Sequence, residues 1–538
     1  MKKLTILFTS DLHANLENLQ ILKDSVIDTL RAANNTAVLL FDCGDFVEGS
    51  VYAFYKKGTA ILDLMRECGY SGMVLGNHEF TCGLEGLISL VDEVQKRDLK
   101  IVCTNLSLMK EYKEKEHWKT VWEKLRQRIH PYLLIDVKGV KVGILGLLGE
   151  KVFVPEAWPA EFRLDINQLR TLSRYLKNLG AEIIVALFHG SLEEAKRLAE
   201  QVKDIDFLLC GHSHSVFLEI CGEQVIAEAG AFGEFLGIVE IELDETRGTT
   251  KRHTKSRIVK VGEESRLFQE TARKKQMYLQ LEKDISTIFP ELTGRNLEEE
   301  ISLGSSPRTL IYAIVDAIRR ETQTNVAFVS LGENPLLLSR GDKLRVYNLF
   351  EVGRGGIPYH GILGGTLCKF YLTLQELKTI LEFTVCSYKE KGWDVILIPS
   401  GIRVVFDSSK PFFKRVIKLE QLHMNSEVIF DGENWYRDPE GLISIGCSLI
   451  LLFGMRKLCS EYSKSGLIEK EILPRRHDGG EVSWEKVEDL QPLLHYNERG
   501  ELGSIWKAVL KLIWDVTSCP GESRIVDVSG EKFFKSFL

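Results

Sequence analysis

Short apolar runs that end abruptly in polar clusters recur through the first half of the chain. Leu4-Thr5-Ile6-Leu7-Phe8 leads into Ser10-Asp11, Val38-Leu39-Leu40-Phe41 into Asp42-Cys43-Gly44-Asp45, and Val74-Leu75 into Gly76-Asn77-His78-Glu79. Ile101-Val102-Cys103 leads into Thr104-Asn105, the run from Ile183 to Phe188 into His189, and Phe207-Leu208-Leu209-Cys210 into Gly211-His212-Ser213-His214. Compact apolar runs of this kind suit strands buried on both faces. Between them, Leu19, Leu22, Val26 and Leu30 recur every three or four residues, which predicts an amphipathic helix over Leu16 to Ala33. Further helices are expected from Leu169 to Leu179 and from Leu192 to Val202, and Lys138-Gly139 is a tight hairpin turn between Leu133 to Val137 and Val140 to Leu147. Alternating strands and helices, with polar residues at the strand ends, predict an α/β sandwich with its site at one rim.

The second half is patterned differently. Arg247 to Lys260 is basic and turn-rich, so a boundary is expected near residue 250 and a first domain over 1–250. Met277, Tyr278, Leu281, Ile285 and Ile288 share one helical face, read as a linker helix within 251–294. A smaller α+β domain over 295–455 is expected to hold helices from Thr309 to Glu321 and Leu374 to Lys389, and strands from Val326 to Leu331 and Gly401 to Phe406. Residues 456–538 form an extension with no assigned role, in which Ile505, Val509, Leu512 and Ile513 suggest one more helix.

Length supports this division, since 538 residues exceed one hydrophobic core. A net charge of -7 argues against nucleic acid or an anionic membrane as partner, because both call for a basic face. Eleven cysteines without a Cys-x-x-Cys pair favour reduced thiols and a cytoplasmic location. The run Leu4 to Phe8 is too short for a signal-peptide core, and Gly441 to Met455 falls short of the roughly 18 residues of a membrane helix. The latter is read as buried strand or helix.

Candidate chemistry sits in five clusters: Asp11-Leu12-His13, Gly44-Asp45, Gly76-Asn77-His78-Glu79, His189-Gly190 and Gly211-His212-Ser213-His214. Alone, each reads as a turn or cap. In this order they resemble the signature of the calcineurin-like metallophosphoesterases and, within them, the 5'-nucleotidases. That resemblance implies a four-layer α/β/β/α sandwich and two divalent metal ions. It implies that Asp11, His13 and His214 bind one ion, that Asn77, His189 and His212 bind the other, and that Asp45 bridges them. The absence of cysteine from this set disfavours structural zinc, while manganese, iron, zinc and magnesium all remain open. By the same resemblance His78 is the catalytic acid and not a ligand. The 5'-nucleotidase motif continues Asn-His-Glu-Phe-Asp, its aspartate orienting the histidine. Here that position is Thr81, so another group must take the role, Glu85 being one candidate, or the histidine is a weaker acid.

Val315-Asp316-Ala317, Phe350-Glu351-Val352 and Pro399-Ser400-Gly401-Ile402-Arg403 resemble the 5'-nucleotidase C-terminal domain. The family's substrate arginine and its two base-clamping aromatics find no counterpart at Ser330 to Pro335, Gly353-Arg354-Gly355-Gly356 or Leu449 to Gly454, so no substrate-binding residue is assigned. The expected function is hydrolysis of a small-molecule phosphomonoester, with nucleotides or nucleotide sugars as the family default. The alternatives are a non-nucleotide phosphoester, or metal binding with little turnover.

Overall fold

The computed structural model describes residues 2–28, 30, 37–81, 83–152, 159–246, 249–260, 272–288, 300–301, 307–330, 344–345, 366–391, 397–422, 427–466, 468, 472–483, 492–496, 503–510 and 525–527. The chain forms two compact units, Met1–Thr293 with Gly356–Ile362, and Gly294–Gly355 with Leu363–Leu538.

The N-terminal unit holds two large sheets packed face to face and a small one of two strands, Leu106–Leu108 with Ala160–Phe162. One has five strands in the order Thr249–Lys260, Phe235–Thr246, Lys2–Thr9, Ala37–Asp42 and Gly72–Met73, the last three parallel. The other has six, ordered Val216–Cys221, Gln224–Ala229, Phe207–Gly211, Ile183–His189, Val140–Leu148 and Leu133–Val137. Its four inner strands Val140–Leu148, Ile183–His189, Phe207–Gly211 and Gln224–Ala229 run parallel.

Ile6, Phe8, Phe41, Ile144, Val185 and Leu209 are buried between the sheets, and alternate residues of the same strands face outward. On the outer face of the six-stranded sheet, Leu145, Leu147 and Ile184 pack against Leu169 and Leu176 of helix Ile166–Asn178 and Leu198 of helix Leu192–Gln201. On the five-stranded side, Leu7 and Leu40 are buried, as are Leu19, Ile61 and Met65 of helices Leu16–Leu22 and Ala60–Cys68. The layers are α/β/β/α, and each apolar side chain so buried contributes about 1.5–3 kcal/mol. Because the inner strands run parallel, Thr9, Asp42, His189 and Gly211 finish at a common rim, with His189 in register with Gly211. The expected hairpin at Lys138-Gly139 is present, both residues having positive φ (50° and 79°).

Two boundaries shift. Thr249–Lys260 is not a turn-rich border near residue 250 but an edge strand paired along its length with Phe235–Thr246, its exposure alternating residue by residue. Its lysines and arginines line an open sheet edge, where charge discourages further strand pairing. Helix Ala272–Ile288, within the expected linker 251–294, docks on segment Val51–Gly58 through its buried Leu281 and Ile285, with Asp284 accepting the Lys56 N–H at 2.9 Å. The helix expected over Leu16 to Ala33 is α-helical over Leu16–Leu22 and widens to a π-turn over Lys23–Ile27.

The C-terminal unit is α+β. One four-stranded sheet runs Leu367–Thr373, Leu442–Ser448, Val326–Ser330, Leu397–Ser400, accompanied by helices Pro307–Thr322, Leu374–Lys391 and Leu449–Lys464. A second runs Glu427–Phe430, Val416–Gln421, Ile402–Phe406, Ile525–Asp527. Residues 456–538 are therefore not a separate extension: Ile525–Asp527 completes this sheet, and Leu493, Ile505 and Val509 are buried. The apolar stretch Gly441 to Met455 divides into a buried strand and a helix, and no described helix is long and apolar enough to cross a membrane. Phe350-Glu351-Val352 lies outside the described residues, as do Leu331 to Pro335 and Gly353 to Gly356, where the resemblance placed substrate contacts.

Candidate metal centre

The loops beyond the parallel strands are locked together before any side chain reaches inward. Asp11, His13, Ala14 and Asp45 all have left-handed φ (47–59°), a region unfavourable to residues with a Cβ. Backbone hydrogen bonds from Asp11 N to Gly44 O (3.0 Å), His13 N to Asp45 O (2.9 Å) and Ala14 N to Phe46 O (3.0 Å) hold them there. The third loop is tied in by Glu79, whose carboxylate accepts N–H groups from Gly76 (2.6 Å), Asp45 (3.0 Å), Phe46 (2.9 Å) and Val47 (3.3 Å). Burial and the charge of Asp45 push this carboxyl up to about 7, against the four N–H donors that favour its anion. Gly76 is required by close approach, since a Cβ there would meet Asp45 Oδ1 at 2.2 Å. The Gly211 to His214 loop hangs on buried Glu228, which accepts Ser213 Oγ (2.7 Å) and Ser215 N (3.1 Å).

The fold brings together all seven expected ligands. Donor atoms of Asp11, His13 and His214 lie within 4.8 Å of one another, as do those of Asp45, His189 and His212, and those of His13, Asp45 and His78. Asn77 Oδ1 joins the second group, 3.2 Å from His189 Nε2 and 3.0 Å from His212 Nδ1. Asp45 thus stands between the groups, its Oδ2 3.3 Å from His189 Nε2 and 3.9 Å from His78 Nε2. Asp11, His13, Asp45, Asn77 and His189 are buried, His78 and His212 half-buried and His214 exposed, so the centre opens on that side. Phe232 edges the opening, its ring centroid 5.1 Å from that of His13 and 5.5 Å from that of His214.

The donor set fits divalent metal. His13 Nδ1 donates to Glu48 O (2.7 Å) and His189 Nδ1 to Cys43 O (2.8 Å), which leaves each Nε2 lone pair pointing inward. The His189 lone pair converges on other acceptors, Asn77 Oδ1 and Asp45 Oδ2, and His13 Nε2 lies 3.1 Å from His214 Nε2. Acceptors facing acceptors need a cation or a proton between them, and backbone-anchored histidines of this kind are typical of metal ligands. The electrostatics agree. Burial and neighbouring Asp45 push Asp11 well above the usual carboxylate range, while His189 and His78 overcome burial to hold Asp45 well below it. His189, which burial alone would lower, is raised to about 10 by Asp45 and Asp11. A divalent ion supplies the positive charge this cluster calls for.

A carboxylate from another loop meets His78. Glu48 Oε1 lies 2.6 Å from His78 Nδ1, and Thr81 Oγ1 donates to Glu48 Oε2 at 2.9 Å. The side chain of Glu85, the substitute expected from sequence, lies outside the described residues. The sequence alone gives Glu48, Glu228 and Phe232 no role, and Glu79 none beyond its place in the Gly-Asn-His-Glu cluster. A faint signal existed for Glu48, an acid three residues after Asp45 and directly before a glycine.

Comparison with known proteins matches this geometry. Residues 4–216 fit the family model described as calcineurin-like phosphoesterase. The trifunctional nucleotide phosphoesterase YfkN of Bacillus subtilis is 31% identical over 268 residues, covering 45% of this chain and 18% of that much longer relative. The venom 5'-nucleotidase of Gloydius brevicauda is 26% identical over 471 residues, 78% of this chain and 76% of its own length. The solved structure of a 5'-nucleotidase precursor from Thermus thermophilus shares the fold with a TM-score of 0.67 at 19% identity, covering 98% of this chain and 99% of that one. The strand-end loops, the convergent donors and the matched residues 4–216 together lead to one conclusion: the first part of the chain is similar to the calcineurin-like phosphoesterases, and the chain resembles 5'-nucleotidases over most of its length.

Proposed function

We propose that the chain is a dimetal phosphomonoesterase of 5'-nucleotidase type, acting on nucleotides or nucleotide sugars. The observation that carries this reading is the pair of donor groups meeting at Asp45, with His78 Nε2 facing the same carboxylate at 3.9 Å. Asp11, His13 and His214 would hold one ion and Asn77, His189 and His212 the other, with Asp45 between. Two bound divalent ions activate a water and neutralise phosphoryl oxygens. The chain's own residues do the rest. Glu79, Glu228 and the interlocked backbones hold the ligands, the rim at half-buried His212 and exposed His214 admits an ester, and His78 presents a ring nitrogen on the same side as Asp45. A nucleotide substrate is supported by what the relatives are named for, the venom 5'-nucleotidase among them.

A second reading, a non-nucleotide phosphoester, is favoured by the C-terminal sequence. Leu449 to Gly454, where family comparison placed an aromatic clamp, belongs to helix Leu449–Lys464 with Leu452 buried. The binding-only reading loses its one sequence hint, because Glu48 supplies the carboxylate that Thr81 does not. The cytoplasmic location remains part of the proposal and rests on the cysteine pattern, which subcellular fractionation tests.

The deciding experiment is hydrolysis by manganese-loaded protein of AMP and UDP-glucose beside an aryl phosphate and an aryl phosphodiester. Preference for the nucleotides supports the first reading, and turnover of aryl esters alone supports the second. Retained activity in both Asp45→Ala and His212→Ala would sink the assigned centre.

A further inference from the structure

Two carboxylates near His78 carry different duties. Asp45 lies on the side of the ring's Nε2, while Glu48, almost fully buried at 1% side-chain exposure, meets Nδ1 at 2.6 Å. Glu48 reaches the ring from the Asp45 loop, whereas the family motif supplies its carboxylate three residues beyond the histidine, where this chain has Thr81. The threonine has kept a share in the arrangement: its hydroxyl lies 2.9 Å from Glu48 Oε2 and 2.9 Å from the His78 carbonyl.

We propose that Glu48 is the positioning residue for His78, replacing the absent residue-81 carboxylate, and that it fixes His78 as the proton donor to the departing ester oxygen. The inference rests on the reading of the chain as a phosphomonoesterase. A carboxylate oxygen accepts from the ring nitrogen it faces, so Glu48, 2.6 Å from Nδ1, fixes the plane of the imidazole and leaves Nε2 as the nitrogen directed toward the centre. In the reaction, water adds its oxygen to phosphorus and the ester P–O bond breaks. The electron pair of that bond takes the Nε2 proton, releasing the alcohol, and the proton given up by the attacking water restores Nε2–H.

Glu48 acts twice, and the two actions can be separated. Its main-chain carbonyl accepts His13 Nδ1 at 2.7 Å, while only its side chain meets His78. Glu48→Gln therefore keeps the anchor of the expected metal ligand and removes the charge behind the acid.

The test uses the full-length, metal-loaded chain with a series of phosphomonoesters, from 4-nitrophenyl phosphate, whose leaving group needs no proton, to an alkyl phosphate, whose leaving group does. The parent, Glu48→Gln, Thr81→Asp and the double variant are compared for kcat, KM and bound metal. General acid catalysis contributes roughly 10²–10⁴-fold, so Glu48→Gln is expected to lower kcat by about 10²-fold on the alkyl ester and by far less on the nitrophenyl ester, with KM and metal content unchanged. Adding Thr81→Asp to Glu48→Gln is expected to restore part of the alkyl-ester rate, because the carboxylate returns to the other side of the same nitrogen. Equal losses on every leaving group, losses that track metal content, or no loss at all would overturn the assignment. If the metal-loaded parent turns over no phosphoester, the hydrolase reading fails by itself. The positioning is then judged by the histidine ¹⁵N spectrum of the zinc-loaded protein. A His78 Nδ1-bound proton that disappears in Glu48→Gln supports it, and an unchanged spectrum refutes it.

Discussion

The Glu79 carboxylate accepts the backbone N–H of Asp45 at 3.0 Å and so holds a residue of left-handed φ (59°) against its preference. The most buried acid of the Gly-Asn-His-Glu loop thereby sets the direction of a side chain on another loop. Glu79→Gln would turn an amide N–H₂ toward groups that are themselves donors. The expected result is a loss of about 1–3 kcal/mol in denaturant unfolding of the metal-free chain. Metal affinity, measured by titration, should fall by roughly 10–100-fold. Unchanged affinity would show that Asp45 holds its pose without this brace.

Metal and stability should be linked. Binding to the folded chain alone stabilises it by about 2.7 kcal/mol when free metal is at 100 times its dissociation constant. Thermal midpoints should therefore rise with added manganese and fall on chelation, and Asp45→Asn should lose most of that response. A midpoint indifferent to metal in the parent would argue against the centre.

Two glycines give a graded test of close packing. A Cβ at Gly76 would lie 2.2 Å from Asp45 Oδ1, whereas one at Gly139 (φ 79°) would meet nothing within 4 Å. Gly139→Ala should cost about 1–2 kcal/mol from backbone conformation alone, with metal binding intact. Gly76→Ala should cost at least as much through overpacking, about 1–3 kcal/mol, and should also lower metal affinity. Calorimetry of both variants, with and without metal, separates the two effects.

The last segment of the chain should be needed for the C-terminal unit. Ending the chain after Lys464 removes buried Ile472, Leu493, Ile505 and Val509, strand Ile525–Asp527, and Arg475, which pairs with both Glu376 oxygens. At about 1.5–3 kcal/mol for each apolar side chain, the four alone exceed the margin of many domains. The shortened chain should expose hydrophobic surface to a dye and lose a cooperative unfolding transition. A sharp transition at the parent's midpoint would refute this.

Much of the N-terminal unit was readable because its central strands are apolar on both faces and change abruptly to polar residues where they leave the core. The runs at Leu4 to Phe8 and Phe207 to Cys210 carry that contrast. Thr249–Lys260 does not: it is an edge strand whose partners cover only one side, so polar residues are tolerated and composition mimics a loop. Glu48 was hidden for another reason. Its meaning depends on the turn after Asp45, which aims it at a residue thirty positions away. Of the tail, the helix Ile505–Leu510 was legible from the spacing of Ile505 and Val509, whereas Arg475 and Leu494, which join the C-terminal sheet only through the isolated bridges to Tyr371 and Cys368, stand in no periodic pattern.

The pairing of Lys2–Thr9 with Phe235–Thr246 has a consequence for synthesis. The first strand made becomes an inner strand of its sheet, yet one of its two neighbours is translated more than two hundred residues later. His214, at the far end of the donor set, also emerges late. A growing chain on the ribosome thus carries Asp11 and His13 long before anything can close around them, and long-range pairings of this kind form slowly. Each donor group draws on loops of both sheets, Asp11 and His13 with His214, and Asp45 with His189 and His212, so neither group is complete until the two sheets have met.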